Sequence, residues 1–335
     1  MTDYIIPPDL VANDVSWRIL DNTAVYSSPL SGAVRTYSRP GNRWGVSLTF
    51  RAISDQKRRR LLSLLAALRG RANRLWLTEP GYTFSGSFSC SELLTNNAAV
   101  VNTTGWSASD AELALSADSH FGLRLTRSGV TADRYVYQSA ITTVSSADYA
   151  IRALYGTGKG NVRISADAGT TAGGTSLLAG TTRTAAGRYT EAFTASGTST
   201  HVSFNDEISG RSAGAFQFIS WASVARCARV AGASQTGAAL NIDGLPASTV
   251  GVARAGDWVE INGELKRLTA DLNSDGSGGG YLIFEPQLRS SPADNTPVIF
   301  RNPMGKFLLS ESENGWATRP GTISELQLNL VEDIS

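Results

Sequence analysis

Trp44-Gly45-Val46-Ser47-Leu48-Thr49-Phe50-Arg51-Ala52-Ile53 alternates apolar residues with small or polar ones, the period-two mark of a strand with one buried face. Pro40-Gly41-Asn42 before it is turn chemistry. Ser54 after it offers a helix N-cap, and Asp55 suits the positive end of a helix dipole. Over residues 55–69, Leu61, Leu62, Leu64, Leu65 and Leu68 form a wide apolar stripe, with Gly70 as a stop. Burying a leucine contributes about 1.5–3 kcal/mol, so this helix is expected to dock on a sheet. Leu75-Trp76-Leu77 reads as a returning strand, and residues 13–20 and 25–26 as short strands ahead of the motif.

Two further textures follow. Residues 85–229 are rich in Ser, Thr, Gly and Ala and carry no amphipathic helix. Strand candidates recur at 121–126, 135–141, 149–154, 162–166, 188–195, 201–205 and 216–225, separated by Ser/Gly/Asp clusters, with 169–174 a loop. Many short strands with regular turn signals specify a β-sandwich or barrel. From residue 230 onward, 257–268 reads as a hairpin around Asn262-Gly263, the preferred type I′ turn pair. A Gly-rich loop over 271–280 leads to a strand at 281–286; 298–301 and 307–309 are expected to extend a small barrel, and 323–331 alternates as a final strand. The outer stretches hold too few strands for separate cores. The fold is therefore expected to be mainly β: residues 1–84 and 311–335 form one discontinuous β-sandwich with a packed helix, 230–310 form a small barrel, and 85–229 form an inserted jelly roll. Insertion works where the chain enters and leaves at neighbouring surface points.

Composition narrows the function. The chain has 335 residues, 41% hydrophobic and 18% charged, with a formal net charge of +1. That balance gives no basic face for nucleic-acid specificity. Residues 1–17 lack the pattern of a signal peptide, and no stretch approaches the roughly 20 apolar residues of a membrane span, so the expectation is a soluble cytoplasmic product with no membrane insertion. Cys90 and Cys227 stand alone, without metal-site spacing. They read as buried small residues, or as neighbours on adjacent strands, with a disulfide left open.

Residues 44–77, a strand, a basic amphipathic helix and a strand, together with the closing strand at 323–334, resemble the tail-tube-like domain of siphophage distal tail proteins. Residues 256–300, with Asp257-Trp258-Val259-Glu260-Ile261-Asn262-Gly263, resemble the small barrel that follows in such proteins. The middle stretch resembles carbohydrate-binding modules with a galactose-binding-like jelly roll, through Leu94-Thr95-Asn96-Asn97, Gly105-Trp106-Ser107, Gly122-Leu123-Arg124-Leu125-Thr126 and Tyr135-Val136-Tyr137-Gln138. The first resemblance implies a homohexameric ring in the virion tail, between the tail tube protein and the tail tip hub protein, made and assembled in the bacterial host cytoplasm. The second implies weak contact with host-surface glycan. The alternatives are an accessory lectin-like tail protein and, behind it, a polysaccharide-degrading enzyme carrying a binding module.

No nucleophile elbow, zinc-protease, P-loop or Rossmann motif is present, so no catalytic residue, metal or cofactor is assigned and the chain is read as non-enzymatic. His120 and His201 sit in unrelated settings. Asp206-Glu207 reads as a solvated turn rather than a glycosidase pair. Asp271, Asn273 and Asp275 imitate the start of a calcium loop, but Leu282 stands where the bidentate acid belongs; a β-turn loop is the reading. Sugar C–H faces stack on aromatic rings, which makes Tyr135, Tyr137, Tyr155 and Trp221 the carbohydrate candidates, while Trp106 reads as core. Lys57-Arg58-Arg59-Arg60 is either a solvated helix face or an inter-subunit contact to an acidic neighbour.

Overall fold

The computed structural model describes every residue except 1, 8, 9, 38, 40, 52, 98–101, 119, 120, 130, 131, 139, 157–160, 207–213, 312–324 and 335. Pro40, Ala52, His120, Glu207 and Ile323, all used above, therefore lie outside the described residues. The protein is mainly β, and its described residues form three sheets, a closed barrel and a separate hairpin.

The scaffold sheet runs in the order Asp3–Ile5, Arg74–Leu77, Gly305–Leu309, Leu326–Glu332, Arg43–Phe50, Asp14–Leu20. Both ends of the chain meet in it: Leu328 lies directly opposite Leu48, which faces Val15 on its other side. Alternation sends Trp44, Val46, Leu48 and Phe50 into the core with Leu328 and Leu330. Ser47 turns to the other face, where its hydroxyl donates to Asn329 Oδ1 at 2.9 Å. The helix Asp55–Leu68 lays Leu61, Leu64, Leu65 and Leu68 on the apolar face. Ser54 caps it by accepting from the Lys57 N–H. The left-handed turn that ends it begins at Arg69, one residue ahead of Gly70, and both have positive φ.

The barrel consists of Ala228–Val230, Ala239–Asp243, Gly280–Glu285, Glu264–Leu268, Trp258–Ile261 and Pro297–Ile299. Asn262 (φ 50°) and Gly263 (φ 78°) form the expected type I′ turn. Two expectations need correction. Gly305–Leu309 is not a barrel strand: it pairs with Arg74–Leu77 and Leu326–Glu332 in the scaffold sheet. Residues 84–90 do not open the central sandwich. Phe84 and Phe88 pack at an angle against Phe300 in the barrel core, and the Ser87 and Phe88 N–H groups donate to the carbonyls of Gly251 and Val252. Gly86 permits this approach, since a Cβ there would stand 2.1 Å from the Val252 carbonyl oxygen. The organisation is thus nested: the sandwich interrupts the barrel, and the barrel interrupts the scaffold. Barrel and scaffold are joined through Trp258, whose ring lies 4.7 Å from Trp44 and 5.0 Å from Trp17.

The sandwich has two faces. One sheet, here the groove sheet, runs Ser176–Leu178, Val162–Ala168, Ser199–Asp206, Arg134–Tyr137, Ser107–Ala108. The other, the seam sheet, runs Gly187–Thr194, Asp148–Tyr155, Phe216–Arg226, Gly122–Arg127, Leu113–Asp118. The strand expected over 135–141 breaks at Gln138, whose side chain pins the backbone of Thr95 (Nε2 to the Thr95 carbonyl, 2.6 Å; Thr95 N–H to Oε1, 2.9 Å). Trp106 is core, as read, and its indole N–H donates to the Asn96 carbonyl at 2.9 Å. Asp206 is not solvated. It is buried and holds Arg127 of the opposite sheet at 2.8 Å, tying the two layers together. Both cysteines are free and buried, their thiols pushed up to about 11 for Cys90 and about 12 for Cys227 chiefly by burial.

The seam sheet is fastened to the barrel by a buried charge cluster. Arg152, fully buried, donates to Glu260 (3.4 Å), to the carbonyls of Arg301 (2.8 Å) and Asn302 (2.9 Å) and to Ser223 Oγ (2.7 Å). Arg188 reaches the same carboxylate at 2.7 Å while its guanidinium covers Trp76 of the scaffold at 4.3 Å. The Met304 N–H also donates to Glu260 at 2.9 Å. Burial pulls Arg152 down to about 10 even with Glu260 beside it. Removing one partner of a buried ion pair leaves an uncompensated charge. Glu260→Gln is therefore expected to lower unfolding stability by about 3–5 kcal/mol, read from urea denaturation, while Lys57→Ala on the exposed helix face stays within about 0.5 kcal/mol of the parent.

Candidate functional site

The outward face of the groove sheet carries a built polar surface. Alternation along Val162–Ala168 turns Val162, Ile164 and Ala166 into the core and Arg163, Ser165 and Asp167 outward. Along Ser199–Asp206 it turns Val202 and Phe204 inward and His201, Ser203 and Asn205 outward. Along Arg134–Tyr137, Val136 is core and Tyr135 and Tyr137 face out. Register then sets these residues in rows: Arg163, Asn205 and Tyr135 in one, Ser165, Ser203 and Tyr137 in the next, Asp167 and His201 in a third.

Their side chains form one connected layer. Ser165 and Ser203 hydroxyls share a hydrogen bond at 2.8 Å, and Asn205 Nδ2 donates to Ser165 Oγ at 2.7 Å. Asp167 accepts from the Gly173 N–H at 3.1 Å, which fixes the loop beside the site. The Tyr135 and Tyr137 rings lie 5.8 Å apart, and both abut His201, at 5.9 and 4.9 Å. Between this floor and the Ser176–Leu178 edge is a groove of about 220 Å³, lined by Tyr135, Arg163, Asp167, Leu178 and Asn205 among others. Two half-exposed rings beside hydroxyl, amide, carboxylate and guanidinium groups offer a stacking surface and hydroxyl partners in the same place.

The four carbohydrate candidates separate. Tyr135 and Tyr137 are neighbours at the groove. Tyr155 (1% exposed) points into the sandwich core, where burial holds its phenol far above the usual range. Trp221 (4% exposed) packs with Trp76, Leu154 and Met304 at the seam, beneath Arg152 at 5.0 Å. Neither ring presents a face to solvent, because both lie on the inner sides of the seam sheet's contacts. Of the basic run, Lys57 and Arg59 are exposed and Arg58 pairs with Asp55 at 3.2 Å. Arg60 is buried: it stands four residues before Leu64 on the docked side of the helix and lines a small cavity with Tyr4, Ile5 and Phe121. Arg60 is therefore buried within the chain itself. Asp271 and Asp275 serve as turn formers, accepting from Ala255 N–H at 2.8 Å and from Ser277 and Gly279 N–H at 2.8 Å each.

Arg163, Ser165, Asp167, Ser203 and Asn205 were not singled out from sequence, and His201 was noted there without a role. Their every-second-residue spacing was visible, but the cross-strand register that gathers them was not.

No family model matches the chain, and no curated protein matches it. Similar solved structures include the CBM22-1 xylan-binding domain of Paenibacillus barcinonensis Xyn10C (10% identity, covering 42% of this chain and 97% of that one, TM-score 0.32). They also include the CBM6cm-2 module of Cellvibrio mixtus lichenase 5A in complex with cellotriose (13%, 40% and 98%, TM-score 0.25). A third is the enzymatically active domain of tailspike protein 4 of bacteriophage CBA120 (12%, 40% and 21%, TM-score 0.30); there the match spans about a fifth of the tailspike chain.

His201 gives this face a pH signature. Burial holds its imidazole below the usual value, against the opposing pull of Asp167. A folded group that binds protons less readily than the unfolded one contributes stability that is complete above its ordinary value, about 6.5, and is lost as pH falls through that range. Urea midpoints are expected to decline between pH 7.5 and 5, and His201→Phe to flatten that decline; equal slopes in both proteins would contradict the assignment.

Proposed function

We propose that this chain is a non-enzymatic structural protein of a long-tailed phage tail, which assembles into a ring between the tail tube and the tail tip and carries a glycan-contacting groove on its inserted sandwich. The observation that carries the reading is the groove lined by Tyr135, with Tyr137 beside it, on a domain locked through Arg152, Glu260 and Arg188 to a scaffold that takes strands from both ends of the chain. A binding face held rigidly is what a ring of copies needs. Weak single-site contacts then add through effective concentration, and a head-to-tail interface closes when its rotation fits. In this reading the protein works in the virion tail after assembly in the bacterial cytoplasm. Its partners are further copies of itself, the tail tube protein, the tip hub protein and host-surface glycan, with Lys57 and Arg59 offered to an acidic neighbour.

Negative-stain microscopy of purified protein and of tails tests the ring, with six-fold annuli expected. Binding to host cell-wall polysaccharide tests the groove. The Tyr135→Ala/Tyr137→Ala variant is expected to bind at least about tenfold more weakly, a loss of about 1.4 kcal/mol, with little change in unfolding midpoint because both rings face outward. Glycan binding by a protein that never forms rings would move the reading to an accessory lectin-like tail protein. Release of reducing ends from the polysaccharide would move it to a degrading enzyme.

A further inference from the structure

A polar pocket of about 410 Å³ opens where sandwich, barrel and scaffold meet, lined by Trp76, Arg183, Arg188, Thr190, Glu260 and Asn262 among others. It shares no residue with the tyrosine groove. The strand Gly187–Thr194 is the edge of the seam sheet. Paired with Leu154 and Arg152, Arg188 and Thr190 share the side of the sheet that meets the barrel, while Tyr189 packs toward Tyr155 and the sandwich core. Arg183 is fixed beside that edge by two backbone bonds with Val162, at 2.8 and 2.9 Å. Its guanidinium lies over the Tyr189 ring at 5.2 Å. From the barrel comes the Asn262-Gly263 turn, where a Cβ at Gly263 would stand 3.2 Å from the Trp76 indole.

The acids around this pocket are engaged. Glu260 takes Arg152, Arg188 and the Met304 N–H. Glu92 accepts from Ser223 Oγ at 2.6 Å and the Val224 N–H at 2.8 Å, and Asp3 from the Arg188 backbone N–H at 3.2 Å. Glu191 has Arg183 at 3.4 Å. The donors are not all engaged. The Nε–H groups of Arg183 and Arg188 and the indole N–H of Trp76 are buried and find no acceptor among the described residues. The Arg188 side chain is 3% exposed and Trp76 7%. Desolvating a donor without giving it an acceptor is costly, and each such atom in a native fold needs an account. Three of them on the walls of one pocket ask for a ligand rich in acceptor oxygens. Guanidinium forks match the oxygens of carboxylate and phosphate. Thr190 and Asn262 add a hydroxyl and an amide for ligand hydroxyls. The volume is that of a small-ligand site, at a junction of domains where such sites concentrate.

We propose that this junction pocket binds an acidic sugar, its carboxylate or phosphate ester held by Arg183 with Arg188 behind it. Because the walls come from three modules, the bound sugar ties them together, and a ligand that binds only the folded state stabilises it. The site depends neither on the tyrosine groove nor on the ring.

The test is calorimetry and urea denaturation of the full-length protein with glucuronate, glucose-6-phosphate, glucose and inorganic phosphate at fixed ionic strength. Saturable binding of one or both acidic sugars, at least about tenfold tighter than glucose or inorganic phosphate and with a raised urea midpoint, is the expected result. Binding of glucuronate alone assigns the carboxylate, and of glucose-6-phosphate alone the phosphate ester. Arg183→Gln is expected to weaken that binding at least about tenfold. Its ligand-free urea midpoint stays that of the parent, because the Arg183 side chain is 40% exposed and its ion pair is long. Tyr135→Ala/Tyr137→Ala binds the acidic sugars as the parent does. Glucose or inorganic phosphate bound equally well, no saturable binding below about 10 mM, or binding lost in the tyrosine variant and kept in Arg183→Gln each overturns the junction site and leaves the reading of the groove standing.

Discussion

A single carboxylate, Glu260, sets the relation between the three parts of this molecule. It sits on a barrel strand, faces Arg152 and Arg188 from the sandwich, and accepts the Met304 N–H on the way back to the scaffold. Taking charges out of water costs several kcal/mol per ion even after relaxation, and that cost is offset only when each group finds its partners in the right geometry. Arg152 reaches two backbone carbonyls and Ser223 besides the carboxylate, and Ser223 in turn donates to Glu92 at 2.6 Å. An apolar seam tolerates sliding, but this one does not, because displacement by a fraction of a residue strands charges in a low-dielectric site. The groove is thereby held in a fixed orientation to the scaffold sheet.

Much of the fold was legible in the sequence, for a specific reason. Alternation reports which side of a strand is buried, and it located Arg43–Phe50, Asp148–Tyr155 and Leu326–Glu332 to within a few residues, as capping chemistry located the helix. What alternation does not report is the sheet to which a strand belongs. Gly305–Leu309 looks like one more barrel strand; only its pairing with Arg74–Leu77 reveals otherwise. Asp206 looks like a turn acid until Arg127 arrives from the facing sheet.

The same limit shaped the reading of the site. Tyr135 and Tyr137 were accessible because two outward positions on one strand share a face. Tyr155 and Trp221 stayed among the candidates because an aromatic on a strand carries no local mark of which sheet face it occupies. The polar floor beneath the tyrosines comes from strands some thirty and seventy residues further along the chain, and only register unites them.

Nested insertion imposes an order on biosynthesis. On a ribosome that adds about 5–20 residues each second, the sandwich has all its strands once Phe216–Arg226 has emerged, and the barrel once Pro297–Ile299 follows. The scaffold sheet lacks a central member until Leu326–Glu332 appears, because that strand lies between Arg43–Phe50 and Gly305–Leu309. Nascent chains that stall early thus own a finished inner module but an unzipped outer one. Quality control is written into the connectivity: a prematurely terminated product has no completed scaffold sheet.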